Sequence, residues 1–329
     1  MDFDKIKPIF NIAEEDKNII KEINERLQTI NINDSTKKKN LIMKSKVRSI
    51  YSSLAIEANS LSLKDVSNII DEKLVLGKRD EVQEVKNANE LYRIIQDFDW
   101  KKESDLIKAH MIMMKYFEDD NEGYRNHGEG VKKGDKIIFT APESILVNSL
   151  MNSLFEFIND NKDKINMLVL ASIFHYYFVY IHPFTDGNGR IARFWVSLML
   201  INYNSNFEYI PIEEELYLNQ DKYYETISEC HNNGNANVFI HFMLESINNC
   251  LLKTTQKTTQ IKLNKNQQEI LKLIEENSSI TRKEIATIIK LSEDGVKYNL
   301  KKLASNKIIE RVGSDNGGYW KILDDKEED

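Results

Sequence analysis

Four prolines and 12 glycines are few for a chain of 329 residues. With so few breakers the sequence is expected to be mainly helical, since these two residues most often end a helix. Cys230 and Cys250 are the only cysteines. They are too few for a disulfide scaffold and lack the spacing of a zinc site, so they are read as helix filler. No apolar run approaches the roughly 20 residues that a membrane-spanning helix needs. The opening MDFDKIKPIF has no basic segment followed by an apolar one, so no secretory signal is expected and the chain is assigned to the cytoplasm. A formal net charge of −7 argues against a nucleic-acid binder over its whole surface, while leaving room for a local basic face.

What is present is an ordinary globular composition, 41% hydrophobic and 29% charged, long enough for two cores. Residues 15 to about 120 carry helical periodicity; KKNLIMKSKVRSIYSSLAIEA, for example, places Leu41 and Lys44, then Ile50, Leu54 and Glu57, at three- or four-residue steps. NEGYRNHGEGVKKGDKIIFTAP changes texture and reads as a loop and a short hairpin. Helices then resume, and INMLVLASIFHYYFVY is apolar nearly all round, the pattern of a buried central helix. KTTQKTTQ has no apolar period and reads as part of a linker at 253–262. Beyond it come three short helical patterns, the second opened by Thr281 and the third by Ser292, then two strand-like segments about a glycine-rich turn. That order predicts a winged helix-turn-helix over 263–329.

The central helix runs directly into His182-Pro-Phe-Thr-Asp186-Gly187-Asn188-Gly189-Arg190-Ile-Ala-Arg193. Gly187, Asn188 and Gly189 can adopt backbone angles that turn successive N–H groups into one concavity. A helix starting at about Arg190 adds its free N–H groups and positive dipole end, so the place favours a phosphate. Arg190 and Arg193 stand three apart and reach the same space, which suits a polyphosphate better than one carboxylate. Asp186 is the loop's carboxylate and could hold Mg²⁺ against phosphate oxygens. His182 stands at the loop entrance as the natural acceptor of a proton from an attacking hydroxyl. Phe184 is expected to anchor the loop in the core. His175, two turns back, reads as a core histidine, and His110, His127, His231 and His241 lack metal-ligand spacing.

This pattern resembles the Fic family motif, HxFx(D/E)GNGRxxR, at every specified position. The resemblance implies a helical Fic domain in which ATP and Mg²⁺ bind at the loop. His182 would activate a Tyr, Thr or Ser hydroxyl of a protein, which takes AMP while pyrophosphate leaves. One branch of the family acts as a kinase, with Lys in place of Gly189 and Ala in place of Gly187; neither is present. Phosphocholine transfer, known in another branch, is compatible with the motif. The hairpin, with Lys136, Ile137, Ile138 and Phe139, matches the position of the family's flap, which docks the target by strand pairing. Gly123-Tyr124-Arg125 resembles the family's lead-in. Ser53 and Glu57 resemble its inhibitory motif, (S/T)xxxE(G/N), with Ala58 where Gly or Asn is usual; the implied role of Glu57 is to pair with Arg193 in the γ-phosphate's space. A helix at about 40–60 is expected to carry both. Such a glutamate can also serve removal of AMP. Tyr223 and Tyr224 lie where relatives line the adenine pocket, and Tyr224 is carried as a candidate ATP contact.

The expected layout is an all-α, mainly helical chain with a small hairpin flap. Residues 1–110 form an N-terminal helical region, 111–252 a catalytic core, 253–262 a linker, and 263–329 the winged module. The module offers Lys297, Lys301 and Lys302 on one helix, yet the acidic tail nearly cancels its charge, so DNA and protein contacts both stay open. The partners implied are a protein target, the chain itself as a target, and a second copy in a homodimer; no membrane is implied. The competing reading is a DNA-binding regulator whose Fic domain senses nucleotide without turnover.

Overall fold

The computed structural model describes residues 5–30, 35–117, 123–133, 136–259, 264–305, 308–313 and 318–323; of 37, 131–133, 136–138 and 255–259 it describes the backbone only. The chain divides into two compact units, Met1–Thr255 and Gln256–Asp329. Among the described residues there are fourteen α-helices and two antiparallel two-stranded ribbons, in keeping with the helical class expected from the scarcity of breakers. None of these helices is long and apolar enough to cross a membrane.

The first unit is built around α7 (Met167–Ile181) and α8 (Asn188–Tyr203), which pack on each other. Twelve of the fifteen α7 residues are buried, as an all-round apolar sequence requires, so α7 forms the axis of the core. Asn166 caps its start by accepting a hydrogen bond from the Leu168 N–H. The helices α1 (Glu14–Thr29), α2 (Ser35–Ile56), α3 (Leu63–Ile70), α4 (Arg79–Arg93), α5 (Glu103–Met113) and α6 (Ser144–Asn161) surround this pair. So do α9 (Ile212–Leu218), α10 (Gln220–Asn233) and α11 (Asn237–Thr259). One hydrophobic core runs from Ile6 to Leu251, so the stretches 1–110 and 111–252 expected as separate regions share a single interior.

The seat of α2 matters most for the site. Beneath it the buried carboxylate of Glu213 on α9 accepts hydrogen bonds from Ser49 of α2, Tyr92 of α4 and Ser197 of α8, at 2.6, 2.9 and 2.6 Å. A buried carboxylate with three hydroxyl donors is satisfied without a counter-ion, and it fastens α2 to three neighbours at once.

The hairpin is real, with β1 (Gly130–Lys133) antiparallel to β2 (Lys136–Thr140). Val131 faces Phe139 and Lys132 faces Ile137, so Ile138 is an extra residue that bulges the ribbon. The side chains of Lys136, Ile137 and Ile138 lie outside the described residues; Phe139 stacks on His231 at 4.1 Å between ring centres.

The stretch read as a linker at 253–262 is helical as far as Thr259, because α11 continues through it, and 260–262 lie outside the described residues. Once a helix is under way each further residue adds one hydrogen bond at little extra entropy, so a polar tract without periodicity can still extend it.

In the second unit, α12 (Lys265–Glu276), α13 (Arg282–Ile289) and α14 (Glu293–Ser305) precede β3 (Ile309–Val312) and β4 (Tyr319–Ile322), the order of a winged helix. Thr281 and Glu284 form a capping box on α13, and Ser292 accepts from the Gly295 N–H at the start of α14. Ile270, Ile274, Ile285, Val296, Leu300 and Ile309 lead a separate small core.

Candidate active site

The loop from His182 to Gly187 joins α7 to α8, and several parts of the first unit hold its shape. Asn188 closes it from within: its Oδ1 accepts from the Phe184 N–H at 3.0 Å and its Nδ2 donates to the Phe184 carbonyl at 2.7 Å. The asparagine side chain is therefore spent on the loop, and its backbone N–H remains for a ligand. Gly187 has φ +82°, and a Cβ there would meet Met114 Sδ at 2.8 Å, so glycine is needed on both grounds. Phe184 is buried and stacks face to face on His110, ring centres 3.6 Å apart.

His110 and Arg125 are the supports that sequence reasoning passed over. His110 Nε2 donates to the Asp186 carbonyl at 2.9 Å. Burial pushes the His110 imidazole down to about 4, so it stays neutral and keeps that donor at ordinary pH. Arg125 is buried, and it donates to the carbonyls of His182 (2.7 Å), His127 (2.7 Å) and Pro142 (2.6 Å). A guanidinium against the last carbonyls of α7 satisfies groups the helix leaves open and suits its negative end. Spacing against metal templates could not find His110, whereas the lead-in Gly-Tyr-Arg pointed to Arg125 without assigning it work.

His182 ends α7 in the left-handed conformation, φ +51°, which turns its ring out of the helix. Its Nδ1 is buried and makes no hydrogen bond of good geometry. Burial lowers the affinity of His182 for a proton, and the Val179 carbonyl and Glu129 only partly offset this. The imidazole is thus neutral near pH 7.

The two motif arginines are nearly closed to solvent, with side chains 4% and 1% exposed. Arg190 donates from Nη2 to Asp186 at 2.6 Å and from Nη1 to Glu84 at 2.8 Å. Arg193 donates from Nε to Ser53 Oγ at 3.0 Å, and from Nη2 to the Ser53 carbonyl at 2.9 Å and Glu57 Oε1 at 2.7 Å. Desolvation alone would raise the Asp186 carboxyl, yet the Arg190 charge and hydrogen bond together with the Gly187 N–H hold it below the usual carboxylate range. The Glu57 carboxylate also lies against Gly189, where an added Cβ would collide with its Oε1. A carboxylate thus rests over the first turn of α8, the seat where dipole and free N–H groups favour an anion.

Ser53 and Glu57 meet Arg193 from one side as their spacing suggests, but α2 ends at Ile56 and Glu57 lies just past it. The Ala58 and Asn59 N–H groups return to the Ala55 and Leu54 carbonyls at 3.0 and 3.1 Å, a Schellman closure. Ala58 therefore has φ +66°, outside the helical conformation. Gly or Asn is usual here because the position is left-handed. Ala58 is exposed, so removing its methyl group forfeits no packing. Relief of the left-handed penalty, less the entropy glycine adds to the unfolded chain, predicts that Ala58→Gly stabilises by about 0.5–1 kcal/mol. A urea midpoint that stays put or falls would contradict this.

His175 is a core histidine, bonded through Nε2 to the Tyr223 hydroxyl at 2.8 Å and pushed down to about 3 by burial. Tyr223 is buried with it, whereas Tyr224 is 46% exposed and its hydroxyl lies 3.4 Å from the Ile56 carbonyl, beside the turn that carries Glu57.

Residues 100–200 match the Fic/DOC family, and residues 263–310 match a winged helix-turn-helix DNA-binding family. The chain is 28% identical over 202 residues to the protein adenylyltransferase Fic of Nematostella vectensis, covering 59% of this chain and 45% of that one. Over 153 residues it is 28% identical to a probable protein adenylyltransferase of Aquifex aeolicus, covering 45% and 46%. It thus spans about half the length of these curated relatives. Among solved structures, a Fic family protein from Desulfovibrio desulfuricans G20 matches with TM-score 0.73 and 28% identity, over 98% of this chain and 100% of that one. Fic-1 from C. elegans shares the fold at TM-score 0.60 and 20% identity, over 74% of each chain.

Proposed function

Taking residues 100–200 as a Fic domain, we propose that this chain is an autoinhibited protein adenylyltransferase, moving AMP from ATP to a Tyr, Thr or Ser hydroxyl of a protein, itself included. One observation carries the reading. A neutral His182, the Asp186 carboxylate, two buried arginines and the start of α8 bound one seat, and a carboxylate of the chain lies in it.

In this reading the outer phosphates of ATP take the place of the Glu57 carboxylate, against the N–H groups of Gly187, Asn188 and Gly189 and the guanidinium of Arg193. Arg190 turns its remaining donors to the same phosphates. The target hydroxyl gives its proton to His182 Nε2 as its oxygen bonds to the α-phosphorus. The bond from that phosphorus to the bridging oxygen breaks, and its electron pair leaves with pyrophosphate. Asp186 fits a magnesium ion as a single carboxylate ligand: its side chain is 68% exposed and held ionised, and with no cluster of three or more candidate ligands among the described residues the remaining ligands would be phosphate and water. Mg²⁺ held there would neutralise phosphate charge. The bulged ribbon supports docking of the target along β2, and Phe139, stacked on His231 and tilted against Tyr180, offers an aromatic face for the nucleotide base. Tyr224 stands as a further nucleotide contact in this reading. Glu57 serves the reverse reaction as well, orienting water for removal of AMP, and a homodimer is carried over from the resemblance.

The test incubates the protein with Mg²⁺ and ATP labelled at the α-phosphate, comparing wild type, Glu57→Gly and His182→Ala. Label that rises in the first variant and vanishes in the second supports the reading. The match of 263–310 to a DNA-binding family favours a second reading, a regulator that senses nucleotide, with Lys297, Tyr298, Lys301 and Lys302 exposed on α14. That reading expects ATP to bind with no label transferred by any variant.

The pH profile follows from His182. Its proton affinity is below the ordinary 6.5, so the base form already dominates at neutral pH and the rate is lost as pH falls. For Glu57→Gly the transfer rate is expected to be flat from pH 7 to 8, with an acid limb whose midpoint lies below 6.5. A midpoint above 7 would remove His182 as the base.

A further inference from the structure

Neither the motif nor the inhibitory glutamate accounts for Glu84. It lies on α4, and its side chain is 20% exposed. Oε1 accepts from Arg190 Nη1 at 2.8 Å and Oε2 accepts from Asn59 Nδ2 at 2.8 Å. Burial raises the Glu84 carboxyl, and the Arg190 charge and the Asn59 hydrogen bond oppose it. A carboxylate is kept at this half-buried place because an almost fully enclosed guanidinium needs it.

Two consequences follow from these contacts. Asp186 accepts a hydrogen bond from Arg190 Nη2. When Asp186 turns to a cation and Arg190 Nη2 to a phosphate, Glu84 is the one carboxylate bonded to Arg190 that stays in place. Arg190 Nε, now buried without a partner, is then a further donor for the same phosphate. Asn59, meanwhile, closes the turn that carries Glu57 and also donates to the Glu81 carbonyl on α4. Glu57 on Arg193 and Glu84 on Arg190 are thus linked through one residue, Asn59, whose backbone N–H closes the Glu57 turn and whose side chain reaches Glu84.

We propose that Glu84 is a positioning residue of the phosphate clamp, holding Arg190 for the polyphosphate, and that Asn59 couples this clamp to the Glu57 brake. The inference rests on the adenylyltransferase reading for the identity of the polyphosphate. Breaking the Asn59–Glu84 bond loosens the turn carrying Glu57 while Glu84 Oε1 still holds Arg190, so the residue that readies the clamp also steadies the brake.

The experiment measures Mg·ATP affinity by calorimetry, with KM and kcat for label transfer alongside, in purified full-length protein. In the Glu57→Gly background, Glu84→Ala is expected to weaken Mg·ATP binding about tenfold and to raise KM, with kcat changed less than about threefold. Glu84→Gln, which keeps an oxygen acceptor for Nη1, is expected to restore most of the affinity. A role confined to stability would reduce the folded fraction and leave the affinity per binding site unchanged. With Glu57 intact, Asn59→Ala is expected to raise Mg·ATP affinity severalfold, and the gain is expected to disappear when Glu84 is alanine as well. Equal affinities across the Glu84 variants, in a background that binds and transfers, would overturn this inference alone. A Glu57→Gly protein that neither binds nor transfers would overturn the inference together with the reading beneath it.

Discussion

Glu57→Gly is expected to raise self-labelling with AMP by about 10- to 100-fold. The Glu57 carboxylate makes a charge-assisted bond of 2.7 Å to Arg193 and covers the first turn of α8. Such a bond to a charged group contributes about 1.5–3 kcal/mol, which is one to two factors of ten in the affinity of a competing anion. The substitution is expected to lower stability but keep the fold, because Arg193 loses the Glu57 charge yet retains its two bonds to Ser53, at 3.0 and 2.9 Å. Labelling that is unchanged, with Mg·ATP affinity unchanged too, would show that Glu57 is a structural partner of Arg193 and not a brake.

His182→Ala in the Glu57→Gly background is expected to lower transfer by about 10²- to 10⁴-fold, the usual contribution of a positioned general base. Mg·ATP affinity should hardly change, because the imidazole is not among the groups that grip the phosphates. His182 sits at φ +51°, a conformation that asparagine tolerates better than alanine. His182→Asn is therefore the better control: it should be equally inactive while unfolding closer to wild type. Transfer that survives in both variants would assign the proton to another acceptor, and the loop would then act by phosphate positioning alone.

Much of this site was legible because its chemistry is local. His182, Asp186, Arg190 and Arg193 fall within twelve consecutive residues, and the glycine pair and following helix start could be read from the same stretch. The pairing of Glu57 with Arg193 was reachable through the inhibitory motif, though the residues are 136 apart. Glu84 was not, since it meets Arg190 across 106 residues and belongs to an otherwise ordinary charged helix. His110 was set aside for want of metal spacing, and only the fold brings it under Phe184.

Residues close in the chain were enough to specify the helical class, the winged second unit, the glycine loop and its histidine, because periodicity, caps and loop chemistry depend on residues within a few places of each other. Packing decided two things. It set α2 on the Glu213 hydroxyl cluster so that Glu57 reaches the start of α8. It also brought Glu84 to Arg190 beside Asp186. Both depend on groups distant in the chain coming within bonding distance, and side-chain hydrogen bonds and enclosed charges are chosen by packing rather than by local sequence.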